Sequence, residues 1–126
     1  MPSRPDNIQI LRGYGVFTHT LRKGSVLAEK SLKLWYTQDQ TTETTRIGFS
    51  VSRMLKNAAV RNRVKRCMRE AVRLNKNTPF FALTPPLNII LMYTGPQAKK
   101  AGMIRCKDIE EQVVSVMKRL MVRVSS

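Results

Sequence analysis

The chain has 126 residues, 42% of them apolar, which suits one domain with a modest core and excludes a disordered chain. Its 23 Lys and Arg against 8 Asp and Glu leave a net charge of +15, a field that repels copies of itself and draws polyanions, nucleic acid first and an anionic membrane surface second. No apolar run reaches the roughly 18 residues of a bilayer span, and the opening MPSRPDNIQILRG lacks the apolar stretch of a secretory signal.

The first element is predicted as a helix from about Asn7 to Leu21. Asp6 can cap it, Gln9 stands at the capping-box position, and Ile10, Tyr14, Phe17 and Leu21 recur at helical spacing. Gly13 and Gly15 each cost such a helix about 1 kcal/mol relative to Ala, and Gly24 ends it. Two strands follow. In SLKLWYTQ, Leu32, Leu34 and Tyr36 share one face, and Lys33 and Trp35 the other. In RIGFSVS, Ile47, Phe49 and Val51 share a face opposite Arg46, Gly48, Ser50 and Ser52. DQTTETT between them reads as a surface loop.

AAVRNRVKRCMREAVR carries six Arg or Lys around an apolar spine. Val60, Val64, Cys67, Met68, Ala71 and Val72 keep the rhythm of one helix face. Asn62, Lys65, Arg66, Arg69 and Arg73 fall opposite, and Arg61 and Arg63 flank the seam. Glu70 is the one acid against ten basic residues from Arg46 to Lys76. A solvated helix face normally mixes signs, yet Arg61–Lys65, Lys65–Arg69 and Arg69–Arg73 are like-charge pairs at i, i+4, so an anion should relieve them. Asn77, Thr78 and Pro79 end this helix.

LNIILMY is the continuous apolar run of a strand covered on both faces, and Gly95 and Pro96 turn the chain after it. The last helix is expected to start at Asp108, with Glu111 completing a capping box and Ile109, Val113, Val116, Met117 and Leu120 forming its buried stripe. Cys67 and Cys106 lack neighbours at metal-ligand spacing. They are expected as reduced thiols of a cytoplasmic protein, at least one in the core, with a disulfide between them as the less favoured alternative.

No catalytic constellation emerges. His19 is the sole histidine, the carboxylates Asp39, Glu43, Asp108 and Glu111 are scattered or fit a loop and a cap, and Gly13 and Gly15 do not make a dinucleotide motif. The expected chemistry is binding, in which Lys and Arg displace the counterions condensed on phosphates.

RIGFSVSRMLKNAAVRNRVKRCMREAVR resembles the signature of the bacterial ribonuclease P protein family, whose hallmark is A-V-x-R-N-R-x-K-R-x-x-R-E. Here it runs from Ala58 to Glu70, with Ala59 where Val is usual. The resemblance spans most of the chain, from a first helix with aromatics and R-K-G at Arg22 to Gly24 through to the acidic start of the last helix. It implies an α+β fold: one two-layer sandwich domain, a four-stranded sheet with three main helices and a left-handed βαβ crossover, against the usual hand.

It also implies a function. The protein would bind the catalytic RNA subunit of ribonuclease P, which cleaves the 5′ leader from precursor tRNA with its own bound Mg²⁺. The protein alone would be inactive, and it would work as a monomer in the cytoplasm. By this resemblance and the helix pattern, Arg61, Asn62, Arg63, Lys65, Arg66, Arg69 and Arg73 would face the RNA subunit. Phe17, Lys33, Trp35, Arg46, Ser50, Ser52 and Arg53 would hold the single-stranded leader. Four sites depart from the family pattern: Leu21 where a cleft aromatic is common, Met54 for a basic residue, Lys56 for glycine, and Tyr93-Thr94 for Ala-Arg. The rival readings are a general RNA-binding or ribosomal-type module, a protein nuclease, which the missing carboxylate cluster disfavours, and a membrane-surface protein, which would need the apolar stripe the core uses.

Overall fold

Alternating and continuous apolar runs set a mixed sheet at the centre of the molecule, with the periodic helices laid on it. The computed structural model describes residues 8–10, 14–38, 45–52, 55–75, 87–95 and 104–125. The elements in chain order are β1 (Ile8–Ile10), α1 (Tyr14–Lys23), β2 (Ser25–Glu29), β3 (Leu32–Gln38), β4 (Thr45–Val51), α2 (Ala58–Asn75), β5 (Leu87–Tyr93) and α3 (Cys106–Ser125). The sheet order is β1-β4-β5-β3-β2. β4 runs parallel to β5 and to β1, while β3 is antiparallel to both β5 and β2. β2 to β5 make the expected four-stranded mixed sheet, and β1 adds three residues at its edge. The chain passes from β4 to its parallel neighbour β5 through α2.

One face of the sheet carries Leu32, Leu34, Ile47, Val51, Leu87, Ile89, Leu91 and Tyr93 into a single core with the stripes of α2 and α3. Each predicted stripe residue of α2, Val60, Val64, Cys67, Met68, Ala71 and Val72, is buried, as are Ile109, Val113, Val116, Met117 and Leu120 of α3. β5 lies between two strands, and this explains its apolar run: Leu87 to Leu91 are all buried. Tyr93 ends that strand inside the core, and burial pushes its phenol pKa up.

Several sequence expectations need correction. The first helix does not begin near Asn7. Ile8–Ile10 pair in parallel with Thr45–Ile47, and the helix starts at Tyr14. Ile-Gln-Ile alternates with the period of a strand, and an open sheet edge offers it a complete set of hydrogen-bond partners. The proposed cap Asp6 lies outside the described residues. β2 was not anticipated. It forms a hairpin with β3 through Lys30 and Ser31, where Lys30 takes the left-handed φ of 47° that a two-residue turn demands. The turn is held from outside, since Ser31 N donates to Gln112 Oε1 at 2.8 Å and Thr94 N donates to Ser31 O at 2.7 Å.

Cys67 and Cys106 are not free thiols but a disulfide joining α2 to α3, with Cα atoms 4.9 Å apart. The compartment argument carries no information on whether two cysteines meet in space; here both helices bring theirs to the shared interface. α3 accordingly begins at Cys106, not Asp108. Arg105 takes the capping position, its carbonyl accepting from Asp108 N at 3.1 Å and Ile109 N at 3.3 Å. Gly24 closes α1, with its N–H donating to Thr20 O at 2.9 Å. A Cβ there would run into Thr20 O and lie 2.9 Å from Tyr36 O, so the close approach of helix end and strand requires glycine.

Candidate nucleic-acid interface

α2 starts where Asn57 caps it: Asn57 Oδ1 accepts from Ala59 N at 2.9 Å and Val60 N at 3.2 Å. The apolar stripe then turns one side to the core, and the basic residues sort into two groups. Arg61 and Arg63, expected at the seam, are half-buried and engaged. Arg61 Nη1 donates to Leu55 O at 3.2 Å and, more loosely, to Ser52 O at 3.4 Å. Arg63 Nε donates to Ile104 O at 2.9 Å. These two guanidiniums fix the joints of α2 with the end of β4 and with the start of α3.

Asn62, Arg66 and Arg69 are exposed and Lys65 is half-exposed. Among the described residues none of these four side chains has a hydrogen bond or ion pair. Arg73, predicted with them, differs: its Nε donates to both Glu70 oxygens, at 3.0 and 3.1 Å. Those bonds hold the Glu70 carboxyl below its ordinary pKa and Arg73 above its own. The pair is surface-exposed and contributes little to stability, but it gives Arg73 a partner, because Glu70 is the one acid within a turn of it.

The second group of predicted residues lies on the sheet face away from α2 and α3. The register aligns Ala28, Lys33, Met92 and Ser50 in one row, Val26, Trp35, Ile90 and Gly48 in the next, and Thr37, Asn88 and Arg46 in a third. Trp35, Ser50 and Met92 are half-buried, Lys33 is exposed, and Gly48 keeps the floor low beside Ile90. α1 packs against β3 and β5, and just past its end a Cβ added to Gly24 would crowd the Thr37 methyl group. α1 thus walls one side of this face, carrying half-buried Phe17 and Leu21 outside the main core cluster. Arg46 donates through Nε to Asn88 Oδ1 at 3.0 Å, so it is anchored in the third row rather than loose. Asn88, buried, was missed from sequence because it sits inside an apolar run.

Ser52 follows β4 with its side chain half-exposed; its N–H donates to Tyr93 O at 2.9 Å and its carbonyl receives Arg61. The cationic helix and the polar sheet face therefore meet at Ser52. Arg53 and Met54 lie outside the described residues. Among the described residues no helix is long and apolar enough to cross a membrane.

An uncommitted cationic helix edge joined to an open sheet face with one large aromatic defines a small α+β protein built to hold a polyanion. The family model of ribonuclease P matches residues 7–121. The ribonuclease P protein component of Pelotomaculum thermopropionicum is 26% identical over 112 residues, covering 89% of this chain and 92% of that one. That of Brevibacillus brevis is 34% identical over 104 residues, covering 82% and 75%. Among solved structures, the ribonuclease P protein of Staphylococcus aureus superposes with a TM-score of 0.68 at 23% identity, covering 87% of this chain and 93% of that one. The Thermotoga maritima protein gives 0.67 at 22%, covering 88% and 96%. The chain belongs to the ribonuclease P protein family, whose members serve tRNA processing as partners of the ribonuclease P RNA.

Proposed function

We propose that α2 is the surface laid against the catalytic RNA, and that the sheet face beneath α1 holds the single-stranded 5′ leader of precursor tRNA. The observation that carries the first half is the set of uncommitted cations Lys65, Arg66 and Arg69 with Asn62, on a helix whose opposite side is spent on the core. Guanidinium forks match phosphate oxygens in pairs. The second half is supported by Lys33, Trp35 and Ser50 on one open face, with Phe17 on the flanking helix. Extended single strands bind such faces by stacking bases on aromatics while cations follow the backbone. Arg46 and Ser52 position this face through Asn88 and Arg61. Arg61 and Arg63 set the pose of α2 and present only their outer edges.

In this reading the RNA subunit and its Mg²⁺ perform the hydrolysis, and one copy of the protein acts per RNA, in the cytoplasm. Reconstitution with the cognate ribonuclease P RNA should restore cleavage of precursor tRNA at low magnesium, and the protein without RNA should cleave nothing. Cleavage by the purified protein alone would overturn the proposal. Trp35→Ala should weaken holoenzyme binding of precursor tRNA by roughly 5- to 150-fold, the worth of about 1–3 kcal/mol for one stacked base, and leave mature tRNA binding unchanged. Equal losses for both substrates would take Trp35 out of the leader site, and a complex that never prefers the leader-bearing substrate would make this a general RNA-binding module.

A further inference from the structure

Helix α3 opens with both signs of charge: Asp108, Glu110 and Glu111 suit its dipole, whereas two cations oppose it. Arg105 sits at the capping position and Lys107 in the first turn, where the unsatisfied N–H groups favour acids. Asp108 answers them only in part, its carboxylate 4.0 Å from Arg105 Nε with both side chains exposed. Lys107 is exposed and has no hydrogen bond or ion pair among the described residues.

The same segment is fastened to α2 twice. Arg63 bonds to Ile104 O at 2.9 Å, and Cys106 is bonded to Cys67. Arg105 and Lys107 are the neighbours in sequence of those two anchored residues, so both bonds set them beside the turns of α2 that carry Arg63 and Arg66. Cations of both helices thus lie next to the two fastened residues, where Glu70 is taken by Arg73, Glu110 accepts from Asn75 and Asp108 reaches Arg105, leaving Lys107 without an ion pair among the described residues.

We propose that the RNA-binding surface continues off α2 onto the start of α3, where Arg105 and Lys107 take phosphates of the catalytic RNA, with the disulfide and the Arg63 bond setting their register. This rests on the assignment of α2 to that RNA. The experiment is a salt titration of the full chain binding its cognate ribonuclease P RNA, comparing Arg105→Gln/Lys107→Gln with Arg66→Gln. All three positions are exposed, and thermal unfolding of both variants should match the parent. Each lost phosphate contact flattens the slope of log affinity against log salt by about 0.7–0.9, so the double variant should lose about 1.4–1.8 and Arg66→Gln about half that. A normal slope in the double variant beside a reduced one in Arg66→Gln overturns this extension and leaves α2 in place. Normal slopes in both remove the α2 assignment and this proposal together.

Discussion

Replacing Lys65, Arg66 and Arg69 together by Gln should cut affinity for the cognate ribonuclease P RNA by about two to three orders of magnitude at 0.1 M salt. The three side chains stand on one edge of α2 with no partner among the described residues, so what they contribute is counterion release. At about 0.7–0.9 per phosphate, three contacts flatten the salt slope by about 2–2.7, and over the decade from 0.1 to 1 M salt that slope is the stated loss. Stability should not fall, because the change removes the Lys65–Arg69 repulsion at i, i+4 and no native contact. Arg63→Gln provides the contrast. It deletes a charged hydrogen bond to Ile104 O and should cost about 1.5–3 kcal/mol of unfolding free energy, with a smaller change of slope. Affinity titrations and urea unfolding on the two variants measure the split. If the triple variant bound RNA with parental affinity and slope, α2 would not be the RNA surface.

That split marks how far the sequence could be read. The stripes of α2 and α3 were legible because a 3.6-residue period sustained over several turns has one solution: a helix with that side buried. The faces of β3 and β4 were legible from alternation, and β5 from a run that only a strand flanked on both sides can bury. β1 and β2 were not. Ile8–Ile10 owe their conformation to the free edge of β4, a partner more than thirty residues away. Ser25–Glu29 buries only Leu27, and its turn contains neither Gly nor Asn. The site divided in the same way. Periodicity put six basic residues around α2, but which of them are spent depends on the carbonyls of Leu55 and Ile104 and on the carboxylate of Glu70. Those are facts of packing. Arg105 and Lys107 drew no notice because the acids beside them fit a helix start so well.

Reducing the Cys67–Cys106 disulfide should lower the thermal midpoint by about 10 °C. The bond spans 39 residues of sequence, the whole of β5 among them, and closing a loop of that size takes from the unfolded chain entropy worth about 4 kcal/mol. Real proteins deliver about 2–4 kcal/mol, and a domain of this size shifts by roughly 3–5 °C per kcal/mol. Native contacts survive the loss: Cys67 stays buried among apolar neighbours, Arg63 keeps Ile104 O, and Asn75 still donates to Glu110 Oε2 at 3.1 Å. Unfolding should therefore become easier without the fold changing. Thermal melts with and without reductant, and of Cys67→Ser/Cys106→Ser, measure it. An identical midpoint with and without reductant, together with two titratable thiols in the untreated protein, would show the cysteines to be unbonded in solution. Reduction should also reach the RNA through the α2/α3 junction. Cys106 is the less buried residue of the pair, so an incoming thiolate attacks its Sγ, forms a mixed disulfide there and expels the Cys67 thiolate; a second thiol then frees Cys106. The attacked residue lies between Arg105 and Lys107. A reduced protein that keeps its melting point lowered and its salt slope flattened would tie the crosslink to the cationic surface as well as to the fold.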